Sequence, residues 1–89
     1  MPTVEFAPAL TRHVDCPRQQ VQAQTLGAAL EAAFRAAPAL KAYVLDEQGA
    51  VRKHVAVFLN GDMLPRETAL AQAVAAQDRV MVIQALTGG

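Results

Sequence analysis

The chain has 89 residues, enough for one domain whose single modest core removes about 60–65% of the unfolded chain's surface from water. Hydrophobic residues make up 53% of it, and eight basic side chains balance eight acidic ones, which excludes a disordered chain and leaves no basic stripe for nucleic acid. No apolar run approaches the ~20 residues of a membrane span, no Lys/Arg-rich amphipathic stretch suits a membrane surface, and no disulfide can form within a chain whose one cysteine is Cys16.

Residues 3–7 (TVEFA) alternate, with Val4 and Phe6 on one face, and predict a half-buried strand that Pro8 cuts short because it has no N–H for the ladder. Leu10 can still turn inward beyond it. The polar stretch 11–19 predicts a loop, and 20–24 a second short strand with Val21 and Ala23 inward. Thr25 is a good N-cap for a helix in which Leu26, Leu30, Ala33, Phe34 and Ala37 form one apolar stripe. Glu31 and Arg35 are spaced to pair on another face, Gly27 weakens the first turn by up to about 1 kcal/mol relative to alanine, and Pro38 ends the helix.

Segment 42–59 predicts two strands around the turn Asp46-Glu47-Gln48-Gly49, a short AYVL and a longer VRKHVAVFL at 51–59. In the longer strand Val55, Val57 and Leu59 share one face, and His54, Ala56 and Phe58 the other. Asn60-Gly61 is a strong hairpin signal, because a type I′ turn needs positive φ at both central residues. Asp62–Leu64 opens the return strand, which Pro65 stops. Residues 68–76 suit a short helix or compact turn packed through Leu70 and Val74. In the last strand, 79–84, Val80 and Val82 face one way and Met81 and Ile83 the other. The order strand–strand–helix–strands–short helix–strand predicts an α+β fold, a mixed sheet of four to five strands on one main helix, with a parallel pair somewhere in it.

Little here resembles a catalytic centre. His13 and Cys16 form an H-x-x-C pair, but two ligands in a polar loop do not make a zinc site, and nothing fixes their geometry as base and nucleophile. His54 reads as a surface or edge residue of a strand. There is no phosphate loop, dinucleotide fingerprint or paired-carboxylate site, so an enzyme is not expected. Two other features remain. A sheet with a helix on one side needs only one apolar face, yet Phe58, Met81 and Ile83, with Ala56 beside them, give the other face an apolar patch. It is either a partner-docking surface or covered by the segment 38–50 or a second subunit. The second feature is the tail Ala85-Leu86-Thr87-Gly88-Gly89. Two final glycines arise by chance in roughly one chain in 200, and five extended residues reach about 17 Å. Glycine has no β-carbon, so such a tip can pass through a narrow channel; a frayed, functionless end is the other reading.

On VEFAPAL at 3–9, TLGAALEAAF at 25–34, HVAVFLNGD at 54–62 and DRVMVIQALTGG at 78–89, the chain resembles the MoaD/ThiS-type sulfur carriers, which have the ubiquitin-like β-grasp fold. The final Gly-Gly after an apolar strand is the specific element. One departure is Gln77-Asp78, where family members usually have a glycine before the acidic residue. That turn is then made either by Gln77 at a strained positive φ or by a different turn.

With no membrane span, no signal-peptide pattern and one cysteine, a cytoplasmic location is the default expectation. The resemblance implies a β-grasp domain over 1–84 and a flexible tail over 85–89, in a protein that is a substrate and binds no cofactor of its own. An E1-like enzyme would use ATP to adenylate Gly89, and a persulfide or sulfide from a sulfur donor would displace AMP and leave a thiocarboxylate. Gly88, Thr87 and Leu86 would thread and anchor the tail. Phe58, Met81, Ile83 and Ala56 would dock the activating enzyme and then the sulfur-accepting biosynthetic enzyme. Carriers of this family serve molybdopterin, thiamine or cysteine synthesis, and RKHVAVFLN with the early proline is more similar to the cysteine-synthesis carriers. A ubiquitin-like modifier joined to targets through Gly89, and a plain interaction module, are the competing functions.

Overall fold

The computed structural model describes residues 1–11 and 18–84. Strand β1 (Thr3–Phe6) alternates half-buried Thr3 and Glu5 with buried Val4 and Phe6, as the period-two pattern requires. Pro8 does stop the strand, and it opens a single helical turn, α1 (Pro8–Thr11), that carries Leu10 into the core. Strand β2 (Gln19–Gln20) is shorter than the expected 20–24. It pairs antiparallel with β1 through Thr3↔Gln20 and Val4↔Gln19, and just beyond that pairing Val21 N donates to the Pro2 carbonyl ahead of β1 at 2.9 Å. Val21 is buried all the same and Ala23 packs against the core.

Helix α2 (Leu26–Ala36) starts where its cap dictates: Thr25 is extended, and its hydroxyl accepts from Ala28 N at 3.2 Å. The whole predicted stripe, Leu26, Leu30, Ala33, Phe34 and Ala37, is buried. Glu31 does not take Arg35 as its partner. Its carboxylate lies 2.8 Å from Lys41 Nζ, because a second helix packs alongside.

That helix, α3 (Pro38–Val44), is the main correction to the sequence reading, which placed a strand at 42–45. Pro38 stands in the first turn, where its missing N–H costs nothing, and Leu40 and Val44 fall one helical turn apart and are fully buried. A strand would have turned alternate residues of AYVL outward; here Ala42 and Tyr43 are exposed, while the adjacent Val44 and Leu45 are both buried. Leu45 then bridges to Val51 around a turn that Asp46 Oδ1 holds by accepting from Gln48 N at 2.8 Å and Ala50 N at 3.0 Å. The strand expected over 51–59 narrows to β3 (Val55–Leu59), since Val55 N bonds back to Arg52 O and the ladder with the last strand opens at Val55. His54 therefore sits exposed in a turn ahead of the strand.

Asn60 and Gly61 have φ of 52° and 90°, the two positive values that a type I′ hairpin requires. They return the chain into β4 (Asp62–Met63). A turn of 3-10 helix, Ala69–Ala71, packs on α2 so closely that a Cβ at Gly27 would meet the Leu70 carbonyl oxygen at 3.1 Å. Gly27 is thus a spacing device as well as a weak helix former. The turn into β5 (Arg79–Gln84) uses no strained Gln77: Asp78 Oδ2 accepts from Ala75 N at 2.8 Å and closes it.

The five strands form one sheet in the order β2-β1-β5-β3-β4. Only β1 and β5 run parallel; every other neighbour pair is antiparallel. Val4, Phe6, Val55, Val57, Val80 and Val82 line the inner face, and α2 and α3 supply Leu26, Leu30, Phe34, Leu40 and Val44 to the same core. The Phe6 and Phe34 rings stack at 5.9 Å. No polar or charged side chain among the described residues is buried.

Candidate functional site

Paired residues in a sheet point to the same face, so register decides which outward side chains meet. In β3 and β5, Phe58 stands opposite Met81, and Ala56 opposite Ile83. On the other side of β3, Phe58 is paired with Met63, and across the parallel pair Met81 is level with Glu5. Met63, Phe58, Met81 and Glu5 therefore make one row across four strands, with Ala56 and Ile83 in the row beside it. At about 4.8 Å per strand, the three apolar members of the first row span roughly 10 Å.

The four patch residues read from the sequence are thus brought together on the face away from the helices. They are half-buried rather than exposed, because large neighbours on a sheet cover one another's flanks. The exposed member is Met63, with 66% of its surface open, and the sequence reading missed it. Its signal was present: a two-residue Asn-Gly loop fixes the pairing of the residues either side of it, which puts Met63 opposite Phe58.

The row on the opposite side of Met81 is polar. Thr3 lies between Gln20 and Arg79, and Asn60 caps the end of β3 next to Arg79. Asn60 Nδ2 donates to Asp78 Oδ1 at 2.9 Å, and Asn60 Oδ1 accepts from Arg79 N at 2.9 Å. The Asn60 bond and then the Ala75 N–H favour the charged carboxylate and hold the Asp78 pKa below its ordinary value. A depression of about 230 Å³ opens between this corner and Met81, with Thr3, Glu5 and Arg79 in its walls.

Strand β5 leads directly toward the tail, but Leu86, Thr87, Gly88 and Gly89 lie outside the described residues, as do His13 and Cys16. Among the described residues no three His, Cys, Asp or Glu side chains are grouped to hold a metal ion, and no helix is long and apolar enough to cross a membrane.

A family model described as the ThiS family matches residues 11–89. Among solved structures, SAMP1 of Haloferax volcanii, a small archaeal modifier protein, is 28% identical, with a TM-score of 0.78 over 99% of this chain and 98% of that one. CysO of Mycobacterium tuberculosis is 21% identical, with a TM-score of 0.81 over 97% of this chain and 100% of its own. A chain of the Amycolatopsis orientalis BexX/CysO complex is 17% identical, with a TM-score of 0.82 over 100% of both chains. The last two likenesses concern the fold, which is the ubiquitin-like β-grasp that the sequence led us to expect. No curated protein sequence matches the chain.

Proposed function

The chain belongs to the ThiS family, and on that premise we propose that it is a small sulfur carrier, a cytoplasmic substrate for chemistry performed by other proteins. The observation that carries the reading is the outward row Met63-Phe58-Met81, held on the strand pair whose β5 runs on, five residues later, to Gly89. An apolar row beside a polar one on an otherwise solvent-facing sheet suits a partner that must dock, act on the tail and leave. Modest interfaces with a few anchors allow such exchange.

A carboxylate is ionised at neutral pH and is a poor electrophile. In the proposed cycle the Gly89 carboxylate attacks the α-phosphate of ATP on an E1-like enzyme, releasing pyrophosphate and forming an acyl-adenylate. Sulfide from a donor then attacks the acyl carbon, AMP leaves, and a thiocarboxylate remains for a sulfur-accepting biosynthetic enzyme, of the cysteine, molybdopterin or thiamine type. Gly88, Thr87 and Leu86 thread the tail, and the protein needs no cofactor and no catalytic residue of its own. The likeness to a small archaeal modifier protein favours a second reading, in which the activated Gly89 is joined to lysines of target proteins.

Weighing the intact protein isolated from its native producer separates the two. The carrier gains the mass of one oxygen exchanged for sulfur, whereas the modifier forms an isopeptide-linked ladder. Deleting Gly89 abolishes either product; a truncated protein that still fulfils its biological role rules out both.

A further inference from the structure

The polar row on the outer face borders a second depression of about 400 Å³, walled by Thr3, Arg18, Gln19, Gln20 and Arg79. Among the described residues, its charged side chains are the two arginines. Both are exposed, and among the described residues neither guanidinium takes part in an ion pair or a side-chain hydrogen bond. The acidic group next to Arg79 in sequence makes no ion pair with it; the Asp78 oxygens accept instead from Asn60 Nδ2 and Ala75 N. Glu5 stands one row further on, level with Met81, and makes no ion pair with Arg79. By contrast, Lys41 and Arg66 are each paired with a glutamate, and Arg52 Nε donates to the Ala42 carbonyl. Two unpaired guanidiniums in one concavity of a chain with no net charge form a local cationic site.

Thr3 and Arg79 belong to both depressions, so the groove continues past them toward Met81 and the apolar row, where Glu5 marks the end of its cationic part. We infer that this groove receives an acidic segment of a partner protein, whose carboxylates face Arg18 and Arg79 while an apolar side chain beside them reaches the Met81 row. The planar fork of each guanidinium suits a carboxylate, and a polar rim beside an apolar centre sets orientation and partner choice. The inference deepens the reading of the outer face as a docking surface, and it does not depend on the chemistry of Gly89.

The test is a titration of the full chain, ¹⁵N-labelled, with an acetylated and amidated peptide Glu-Glu-Leu-Glu-Glu, followed through arginine Nε–H and backbone amide signals. The lysine counterpart Lys-Lys-Leu-Lys-Lys and inorganic phosphate serve as comparisons. The glutamate peptide is expected to shift Arg18, Arg79, Thr3 and Met81, and the Arg18→Ala/Arg79→Ala double variant to bind about tenfold more weakly. Both sites are exposed, and an unchanged amide spectrum elsewhere shows that the fold is kept. The Arg18→Glu/Arg79→Glu variant should reverse the preference toward the lysine peptide. Equal shifts from both peptides, or shifts spread over Arg35, Arg52 and Arg66, overturn the inference. So does phosphate acting on the same two arginines as strongly as the peptide, which would mark a general anion site. A thiocarboxylate at Gly89 without these shifts rejects the groove and leaves the carrier; the shifts without a thiocarboxylate do the reverse.

Discussion

Asn60 and Asp78, eighteen positions apart, are joined side chain to side chain at 2.9 Å. Asn60 also accepts from Arg79 N at 2.9 Å and donates its own N–H to Arg79 O at 2.8 Å, so one residue at positive φ clasps the β3–β4 hairpin to the start of β5. This clasp sits at the end of the ladder that sets Phe58 opposite Met81. Asn60→Ala loses the side-chain bonds and, with them, the local polar contacts that let a residue with a β-carbon hold φ 52°, and should cost about 1–3 kcal/mol. Asn60→Gly tolerates the φ and should cost about 0.5–1.5 kcal/mol. Urea midpoints measure both, and equal losses would mean that φ is not part of the effect.

Acid stability carries a signature of two aspartates. Asp46 is held below its usual pKa by the N–H groups of Ala50 and Gln48, and Asp78 by Asn60 and the Ala75 N–H. Since the folded values lie below the unfolded ones, the stabilisation is complete above the unfolded value of about 4 and is lost as pH falls through the depressed folded values. Wild-type stability should fall over that window. The Asp46→Asn/Asp78→Asn variant should show a shallower decline in chemical denaturation between about pH 5 and pH 2.

The core depends on the helix stripe. Leu30 is fully buried, and Phe34 is buried against the Phe6 ring. Leu30→Ala should cost about 2–5 kcal/mol and Phe34→Ala about 3–5 kcal/mol. Total stabilities of small domains are of the same order, so both variants should show strongly lowered thermal midpoints or fail to fold.

On the outer face, Met63 gives the clean probe of docking. Met63→Asp changes an exposed side chain and should leave stability within about 0.5 kcal/mol, yet, on the proposed function, lower ATP–pyrophosphate exchange with the proposed E1-like partner at least about tenfold. Phe58→Asp and Ile83→Asp should impair both stability and exchange, because these residues are half-buried. Undiminished exchange in Met63→Asp would place docking elsewhere.

Much of the molecule is readable from local patterns. The alternation of β1 and β5, the Thr25 cap, the stripe from Leu26 to Ala37 and the Asn60-Gly61 hairpin each rest on chemistry confined to a few neighbouring residues. Such rules survive because the core rewards the periodicity that local propensity already favours. Where local signals were degenerate, the reading failed. AYVL at 42–45 is an apolar run that serves either a strand or a helix, and only the space beside α2 made it the end of α3. Glu31 likewise exchanged its expected helical neighbour for Lys41 of the packed α3.

The sequence by itself determined that Phe58, Met81 and Ile83 leave the core, since a strand's period of two sends alternate residues to opposite faces. The Gly88-Gly89 ending and its resemblance to sulfur carriers are likewise a matter of sequence alone. Which outward residues meet was decided only by the tertiary structure. Strand order and register are long-range choices, fixed when inner-face side chains pack on α2 and α3 and the Asn60 clasp closes. They placed Met63 beside Phe58 and brought Arg18, eight residues before α2, next to Arg79 at the start of the last strand.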